Sequence, residues 1–563
     1  MKENKFARLY TAEGKAITGQ PWDVYPRPQL KRKSYFSLNG EWEITINGGE
    51  KETILVPYPP ESILSGVEKN TGKYPTLCYR KVFTIPQSFI KERVLLHFGA
   101  VDQIATVSVN GEIVGEHIGG YEPFTLDITD KLLERNIIEV LVRDELENGV
   151  LPYGKQRYKR GGMWYTPVSG IWQSVWLESV CEGYIKELRI ETGINYADIY
   201  VKDVKEGKVT VKAPHGKIDC DIVNGRAHFS FKNPRLWSPE DPYLYYFTVK
   251  AGEDEIESYF ALRTLDIKEI DGVNRICLNG EPYFFHGLLD QGYFSDGIFT
   301  PASPESYTRD IQIAKSLGFN TLRKHIKIEP EIFYYECDKL GMIVFQDMVN
   351  NGTYSFLRDT ALPTIGLTGV GKLFSGESRV AVKDAFISSM KTTVKQLYNH
   401  PCICYWTIFN EGWGQFESDK MYEILSSLDK TRIIDTTSGW FKNKESQVES
   451  LHIYFKPVKL PRTKKPIMLS EFGGYSYNVK KHVFNPDYTY GYKKFDDVND
   501  FENALIQLYE REIIPNIKNG LCGSIYTQLT DVEDETNGLV TYDRAVIKVD
   551  KTKMQELASK LKI

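Results

Sequence analysis

The chain has 563 residues, more than one hydrophobic core normally organises, so several domains are expected. Hydrophobic residues make up 41% and charged residues 26%, an ordinary globular balance, and no apolar run approaches the ~20 residues of a membrane span. The net charge of −5 supplies no basic stripe for nucleic acid and neither favours nor disfavours an anionic substrate.

The opening Met-Lys-Glu-Asn-Lys-Phe-Ala-Arg-Leu-Tyr has no apolar segment of the signal-peptide kind. The eight cysteines show no zinc-knuckle spacing, and Cys402-Ile403-Cys404 is too close for a redox pair. Reduced thiols and a cytoplasmic location are therefore expected.

Residues 1–180 read as β. Short alternating runs recur at 40–46, 77–85, 94–98, 105–109, 137–142 and 173–177, with turn signals such as Asn110-Gly111 and Gly119-Gly120 between them. That punctuation predicts a jelly roll or sandwich. Residues 181–265 carry further β runs at 208–212, 228–231 and 245–249, of a size for an immunoglobulin-like sandwich. The aromatic content of 13% suits sugar stacking and β-rich cores equally.

From 266 to 563 the pattern changes to apolar strands alternating with amphipathic helices. Strands are predicted at 282–285, 321–323, 342–345, 403–409, 433–436, 450–453, 466–469 and 523–527, and helices at 304–317, 330–340, 379–397, 418–428 and 501–517. Eight such strands predict a (β/α)8 TIM barrel. Loops at 349–377 and 473–495 are too long for plain connectors and are expected to shape a site.

Two carboxylates stand out in this frame. Glu411 in Ile-Phe-Asn-Glu-Gly-Trp (408–413) ends the fourth strand, and Glu471 in Met-Leu-Ser-Glu-Phe-Gly-Gly (468–474) ends the seventh. Barrels place their chemistry at the carboxyl ends of strands. A pair of carboxylates there is what cleavage of a glycosidic bond requires.

Several motifs add a family resemblance. Leu-Asn-Gly-Glu-Trp (38–42), Val-Asn-Gly (109–111), Gly-Gly-Tyr-Glu-Pro-Phe (119–124), Ser-Gly-Ile-Trp-Gln (169–173), Pro-Arg-Leu-Trp-Ser-Pro-Glu-Asp-Pro-Tyr-Leu-Tyr (234–245), Arg-Lys-His (323–325), Asn-Glu (410–411) and Ser-Glu-Phe-Gly (470–473) follow in this order. Together they resemble glycoside hydrolase family two, the β-galactosidase, β-glucuronidase and β-mannosidase group, nearly end to end. The resemblance implies a jelly-roll sugar-binding domain, an immunoglobulin-like domain and a catalytic barrel. It implies a retaining, exo-acting hydrolase of glycosides, with no cofactor and no metal.

By that resemblance Glu411 is the general acid/base and Glu471 the nucleophile. Glu411 must carry a proton when it meets the leaving oxygen and must accept one from water afterwards. Asn410 is expected to bond the sugar 2-hydroxyl. Arg323 and His325 are expected beside the nucleophile, where Arg323 would hold it ionised. His452 and Tyr454 end the sixth strand; Tyr454 is placed either to hydrogen-bond the nucleophile or to fill the core. Trp413 and Trp440 read equally as stacking walls or core rings, and Asp290 as a ligand of a sugar hydroxyl or a plain loop acid.

The sugar is less legible. The Asn-x-Lys stretch by which the family's glucuronidases bind a carboxylate is replaced by Asp-Val-Glu-Asp-Glu-Thr-Asn-Gly-Leu (531–539), whose acids would repel a uronate if they face the site. Lys324 and Lys327 remain candidate partners for one. The leading expectation is a β-galactosidase-like enzyme. A uronide, an α-L-arabinoside or a β-mannoside are alternatives, and a non-catalytic carbohydrate-binding protein is a remote one. A glycoside is the expected partner, with neither nucleic acid nor membrane, and a homo-oligomer is compatible with the family.

Overall fold

The computed structural model describes residues 6–355, 357, 359, 362, 378–441 and 444–563. Most of the predicted loop at 349–377 lies outside these residues.

The first domain is a jelly roll of two facing antiparallel sheets. Its six-stranded sheet runs Lys51–Val56, Gly40–Ile46, Thr76–Phe83, Asn136–Arg143, Ile104–Val109, Glu112–Ile118. Its four-stranded sheet runs Phe36–Ser37, Val175–Val180, Arg93–Phe98, Phe124–Asp127. Strict alternation in Ile104–Val109 turns Ala105, Val107 and Val109 inward, against Trp42, Phe98 and Val140. Asn110 and Gly111 take φ of 53° and 85°, the left-handed pair that suits a tight two-residue hairpin.

The second domain is a seven-stranded antiparallel sheet between Leu188–Thr192 and Asp254–Phe260 that closes on its own core, including Ile199, Val209 and Phe247. Trp237 fastens it to the barrel, its indole N–H donating to the Asp338 carbonyl at 2.8 Å.

The third domain is the barrel. Its strands are β1 (Phe285–Asp290), β2 (Thr321–Lys324), β3 (Ile343–Asp347), β4 (Ile403–Asn410), β5 (Ile433–Ser438), β6 (Glu449–Ile453), β7 (Ile467–Gly473) and β8 (Leu521–Thr527). All eight share one sheet, in the order β5-β4-β3-β2-β1-β8-β7-β6. β1, β3, β4, β5, β7 and β8 are buried along their whole length, which is why they read as continuous apolar runs rather than as alternation. Among the described residues the seam between β5 and β6 has no backbone ladder. It is crossed by side chains instead, with the Ser438 hydroxyl 3.2 Å from that of Ser450 and 2.9 Å from Nε2 of His452.

Two elements differ from expectation. The first barrel strand starts at Phe285, because Glu281–Pro282 pairs antiparallel with Val273–Leu278 in a separate three-stranded sheet. The helix expected at 501–517 starts at Val498, where the Asp497 carboxylate caps the free N–H groups of Asn499 and Asp500. No helix among the described residues is long and apolar enough to cross a membrane.

Candidate active site

Glu411 follows the last residue of β4, and its backbone N–H donates to the Ser438 carbonyl at 2.9 Å. Its φ is +52°, a conformation that costs a non-glycine residue of the order of 1 kcal/mol and is often kept at functional sites. Glu471 lies within β7, where the ladders slip around Ser470. Leu451 pairs with Leu469, yet His452 pairs with Glu471. This one-residue irregularity re-aims the Glu471 side chain, as bulges do beside active sites. One oxygen of Glu411, one ring nitrogen of His452 and one oxygen of Glu471 all lie within 4.8 Å of one another.

Arg323, on β2, organises the group. It is 1% exposed. Its Nε donates to both Asp347 oxygens at 3.0 and 3.1 Å. Its Nη1 donates to Glu471 Oε1 at 3.1 Å and to the Ser470 carbonyl at 3.0 Å. Its Nη2 donates to Asn410 Oδ1 at 2.9 Å, which leaves the Asn410 amide N–H groups as the donors for a ligand. His325 Nδ1 lies 2.7 Å from Asp347 Oδ2 and 4.0 Å from Glu471 Oε1. His452 Nδ1 is 2.8 Å from Glu411 Oε1 and 3.6 Å from Glu471 Oε2. The Tyr454 hydroxyl donates to Glu471 Oε2 at 2.5 Å. Tyr454 thus meets the carboxylate rather than the core.

The electrostatics of Glu471 follow from these contacts. Burial pushes its carboxyl up, but His452, Arg323 and His325, with the Tyr454 hydroxyl, outweigh burial and hold it at about 2. It is ionised at neutral pH. Burial pushes the His325 imidazole down, below its usual value.

Glu411, His452 and Glu471 also form a donor set that could hold a cation. The fit is poor. Both Glu471 oxygens already accept hydrogen bonds, from Arg323 and Tyr454, and a fixed guanidinium 3.1 Å away opposes a second positive charge.

The remaining expected residues fall around this centre. Trp413 is buried in an aromatic cluster, its ring 5.5 Å from Tyr153, 5.0 Å from Trp164 and 6.1 Å from Tyr354. Trp440 is half-buried, edge-on to His452 at 6.3 Å. Asp290 is otherwise engaged than a sugar ligand would be. Its carboxylate takes the Lys324 ammonium at 2.6 Å and the Gly292 N–H at 2.9 Å. Lys324 and Lys327, the candidate partners of a uronate, are likewise committed, to Glu329 at 2.9 and 3.0 Å.

Sequence reasoning missed other contributors. Asp347 closes the apolar run of β3 just as Glu411 closes that of β4, and that signal would have found it. Tyr492, from the long loop at 473–495, stacks on Tyr454 with centroids 3.9 Å apart. The first domain sends a loop across the barrel mouth. Arg160 pairs with Glu533 and Asp534 at 3.2 and 3.3 Å, Thr166 N–H donates to Glu533 at 2.9 Å, and the Tyr165 hydroxyl donates to Glu535. Ser169 and Gly170 instead stay on the jelly roll, against Glu61 and Asp102.

The fold agrees with known proteins. Residues 269–563 match the family description "Glycosyl hydrolases family 2, TIM barrel domain", residues 29–180 "Glycosyl hydrolases family 2, sugar binding domain", and residues 181–263 "Glycosyl hydrolases family 2". The chain belongs to glycosyl hydrolase family 2. Hydrolysis of O-glycosyl bonds is the chemistry of that family.

Among its relatives, a β-galactosidase of Thermoanaerobacter pseudethanolicus is 25% identical, matched over 79% of this chain and 60% of its own length. A putative β-glucuronidase of Formosa agariphila is 24% identical over 83% of this chain and 60% of its own length. The chain thus spans about three fifths of these two relatives. Two solved structures share the fold over nearly full length. The β-D-glucuronidase of Dictyoglomus thermophilum has a TM-score of 0.74 at 20% identity, covering 96% of this chain and 99% of its own. A β-galacturonidase from Eisenbergiella tayi has 0.67 at 21%, covering 96% and 98%.

Proposed function

We propose that the protein is a retaining, exo-acting glycoside hydrolase in which Glu471 is the nucleophile and Glu411 the general acid/base. The observation that carries this reading is the approach of their carboxylate oxygens to within 4.8 Å. Retaining pairs stand ~5–5.5 Å apart, whereas inverting pairs need ~6.5–9.5 Å to admit a water. The ionised Glu471 attacks the anomeric carbon and Glu411 gives its proton to the departing oxygen. This leaves a glycosyl ester on Glu471 and a free alcohol. Water then attacks the anomeric carbon, Glu411 takes its proton, and the sugar leaves with its configuration retained. Asn410, fixed through its oxygen by Arg323, presents N–H donors to the sugar 2-hydroxyl. The loop carrying Arg160, Trp164 and Tyr165 closes one side of the mouth, which favours a single terminal sugar. The eight free thiols suit a reducing, cytoplasmic setting.

For the sugar, a terminal β-linked uronic acid is the reading placed first. Two solved structures that align over nearly the whole chain carry the names β-glucuronidase and β-galacturonidase. The acids after β8, which in sequence looked hostile to a uronate, are mostly neutralised. Asp531 has Lys548 at 2.6 Å, and Glu533 and Asp534 share Arg160. A β-galactoside, the leading expectation from sequence, is the second reading. It is favoured by Glu535, a buried carboxylate held by the neutral donors Tyr165 and Asn537 and suited to accept from sugar hydroxyls.

The test is a panel of nitrophenyl glycosides containing β-glucuronide, β-galacturonide, β-galactoside, β-glucoside, β-mannoside and α-L-arabinoside, with Glu411→Gln and Glu471→Gln as controls. Preferred cleavage of a uronide, lost in both controls, is expected. Preferred cleavage of a neutral sugar would replace the first substrate reading by the second. Equal rates in the controls would refute the catalytic assignment.

A further inference from the structure

Four lysines are buried among the described residues: Lys155, Lys324, Lys327 and Lys548. Three have a carboxylate in contact. Lys324 has Asp290 at 2.6 Å, Lys327 has Glu329 at 3.0 Å, and Lys548 has Asp531 at 2.6 Å. Lys155 is the exception. It is 9% exposed, and among the described residues no carboxylate lies within 4.0 Å of its ammonium and no hydrogen bond to it is formed. The Trp164 ring lies 5.7 Å from its Nζ to the centroid. Most of the side chain is covered, yet its Nζ is not among the sealed polar atoms, so the ammonium is open to a partner that arrives with a negative charge.

The backbone puts this lysine at the mouth of the barrel by deliberate means. Tyr153 and Gly154 N–H both donate to the Asn350 carbonyl, at 3.0 and 3.3 Å. Gly154 has φ +64°, and a Cβ there would sit 2.6 Å from the carbonyl oxygen of Ile326, the residue after His325. Only glycine lets the loop lie so close to the end of β2. The Lys155 carbonyl accepts from Tyr165 N–H at 3.0 Å, and the Tyr165 hydroxyl holds Glu535. On the other flank Tyr153 and Trp164 pack on Trp413, two residues beyond Glu411. The loop that carries Lys155 is therefore held to Ile326, to Trp413 and to Glu535. The charge of Lys155 is felt by two groups. Burial pushes both His325 and Glu535 towards their neutral forms, and Lys155 further disfavours the His325 cation and favours the Glu535 anion.

We propose that the Lys155 ammonium, delivered by the first domain, binds the carboxylate of the terminal uronic acid and so sets the sugar specificity of the barrel site. The inference rests on the uronide reading above. It names a residue outside the barrel as the one that reads the anionic group, in place of a lysine after β8.

The experiment is kcat/KM for Lys155→Gln and Lys155→Arg on 4-nitrophenyl β-glucuronide and β-galacturonide, each against its neutral counterpart, the β-glucoside or β-galactoside. The uronide-to-neutral ratio is taken within one preparation, so a partly unfolded sample leaves it unchanged. Lys155→Gln is expected to lower that ratio about 100-fold, and Lys155→Arg, which keeps the charge, by much less. Should Lys155→Gln not fold, Lys155→Met removes the same charge, and an unchanged uronide-to-neutral ratio in that variant would overturn the assignment. An equal fall on charged and neutral sugars would overturn it too, and would make Lys155 a support for Glu535. A wild-type enzyme that prefers neutral glycosides would instead sink the uronide reading, and the role of Lys155 with it.

Discussion

Arg323 donates to Glu471 Oε1 at 3.1 Å from a position that solvent barely reaches. The same guanidinium joins β2 to Asp347 at the end of β3, Asn410 at the end of β4 and Ser470 in β7. A planar fork is required to serve four partners in four directions, and an ammonium cannot replace it. Arg323→Lys and Arg323→Met should therefore both fail. Each leaves at least one buried carboxylate unpaired, which costs about 3–5 kcal/mol. The expected outcome is a clear fall in thermal midpoint together with a loss of kcat. Wild-type stability in Arg323→Met would mean that Asp347 and Glu471 do not depend on this cation.

Glu471→Ala should reduce turnover to background, because it removes the carboxylate that attacks the anomeric carbon. Sodium azide should restore cleavage of a nitrophenyl glycoside and give a glycosyl azide of inverted configuration. Proton NMR of the anomeric signal reads the result. A retained azide product would show that a second nucleophile acts.

Glu411→Ala should discriminate by leaving group. A nitrophenolate departs without a proton, so the glycosylation step is largely spared. An alkyl glycoside needs the proton and should slow by about 10²–10⁴-fold. The ratio of kcat/KM on the two substrates measures this directly, and a uniform loss on both would contradict the acid/base role.

Acid stability provides a further check. The Glu471 carboxyl moves from 4.5 in the unfolded reference to about 2 in the fold. The folded value is the lower one, so the ionised form stabilises the fold. That contribution is complete above pH ~4.5 and is lost as pH falls towards 2, about 3 kcal/mol in all. Chemical denaturation of the wild type and Glu471→Gln between pH 2 and 6 should show the wild type losing more stability over this window. Parallel curves would mean that Glu471 is not held ionised by its neighbours.

The two carboxylates were legible because each ends an apolar run at the carboxyl end of a barrel strand, a purely local pattern. Asp347 carries the same local signal and is now seen to orient Arg323 and His325. Arg323 and His325 were legible through their motif. Tyr454 was ambiguous, since a tyrosine two residues past a strand histidine reads alike as core or ligand. Its contact with Glu471 Oε2 depends on the bulge at Ser470, which no local pattern announces. Asp290 illustrates the reverse case. Its place at the end of β1 is legible, but its capture by Lys324 depends on two strands lying side by side.

What the sequence determined by itself was the order of the three domains, the strands and helices of each, and the two glutamates, all set by periodicities of two and 3.6 residues and by short motifs. What only the tertiary structure decided was the charge around the site. The acidic stretch at 531–539 looks repulsive along the chain, yet Lys548 and Arg160 neutralise most of it from afar, while Lys155 arrives from another domain with no carboxylate in contact among the described residues. Coulomb energy depends on distance through space and on local burial, neither of which is written in sequence separation.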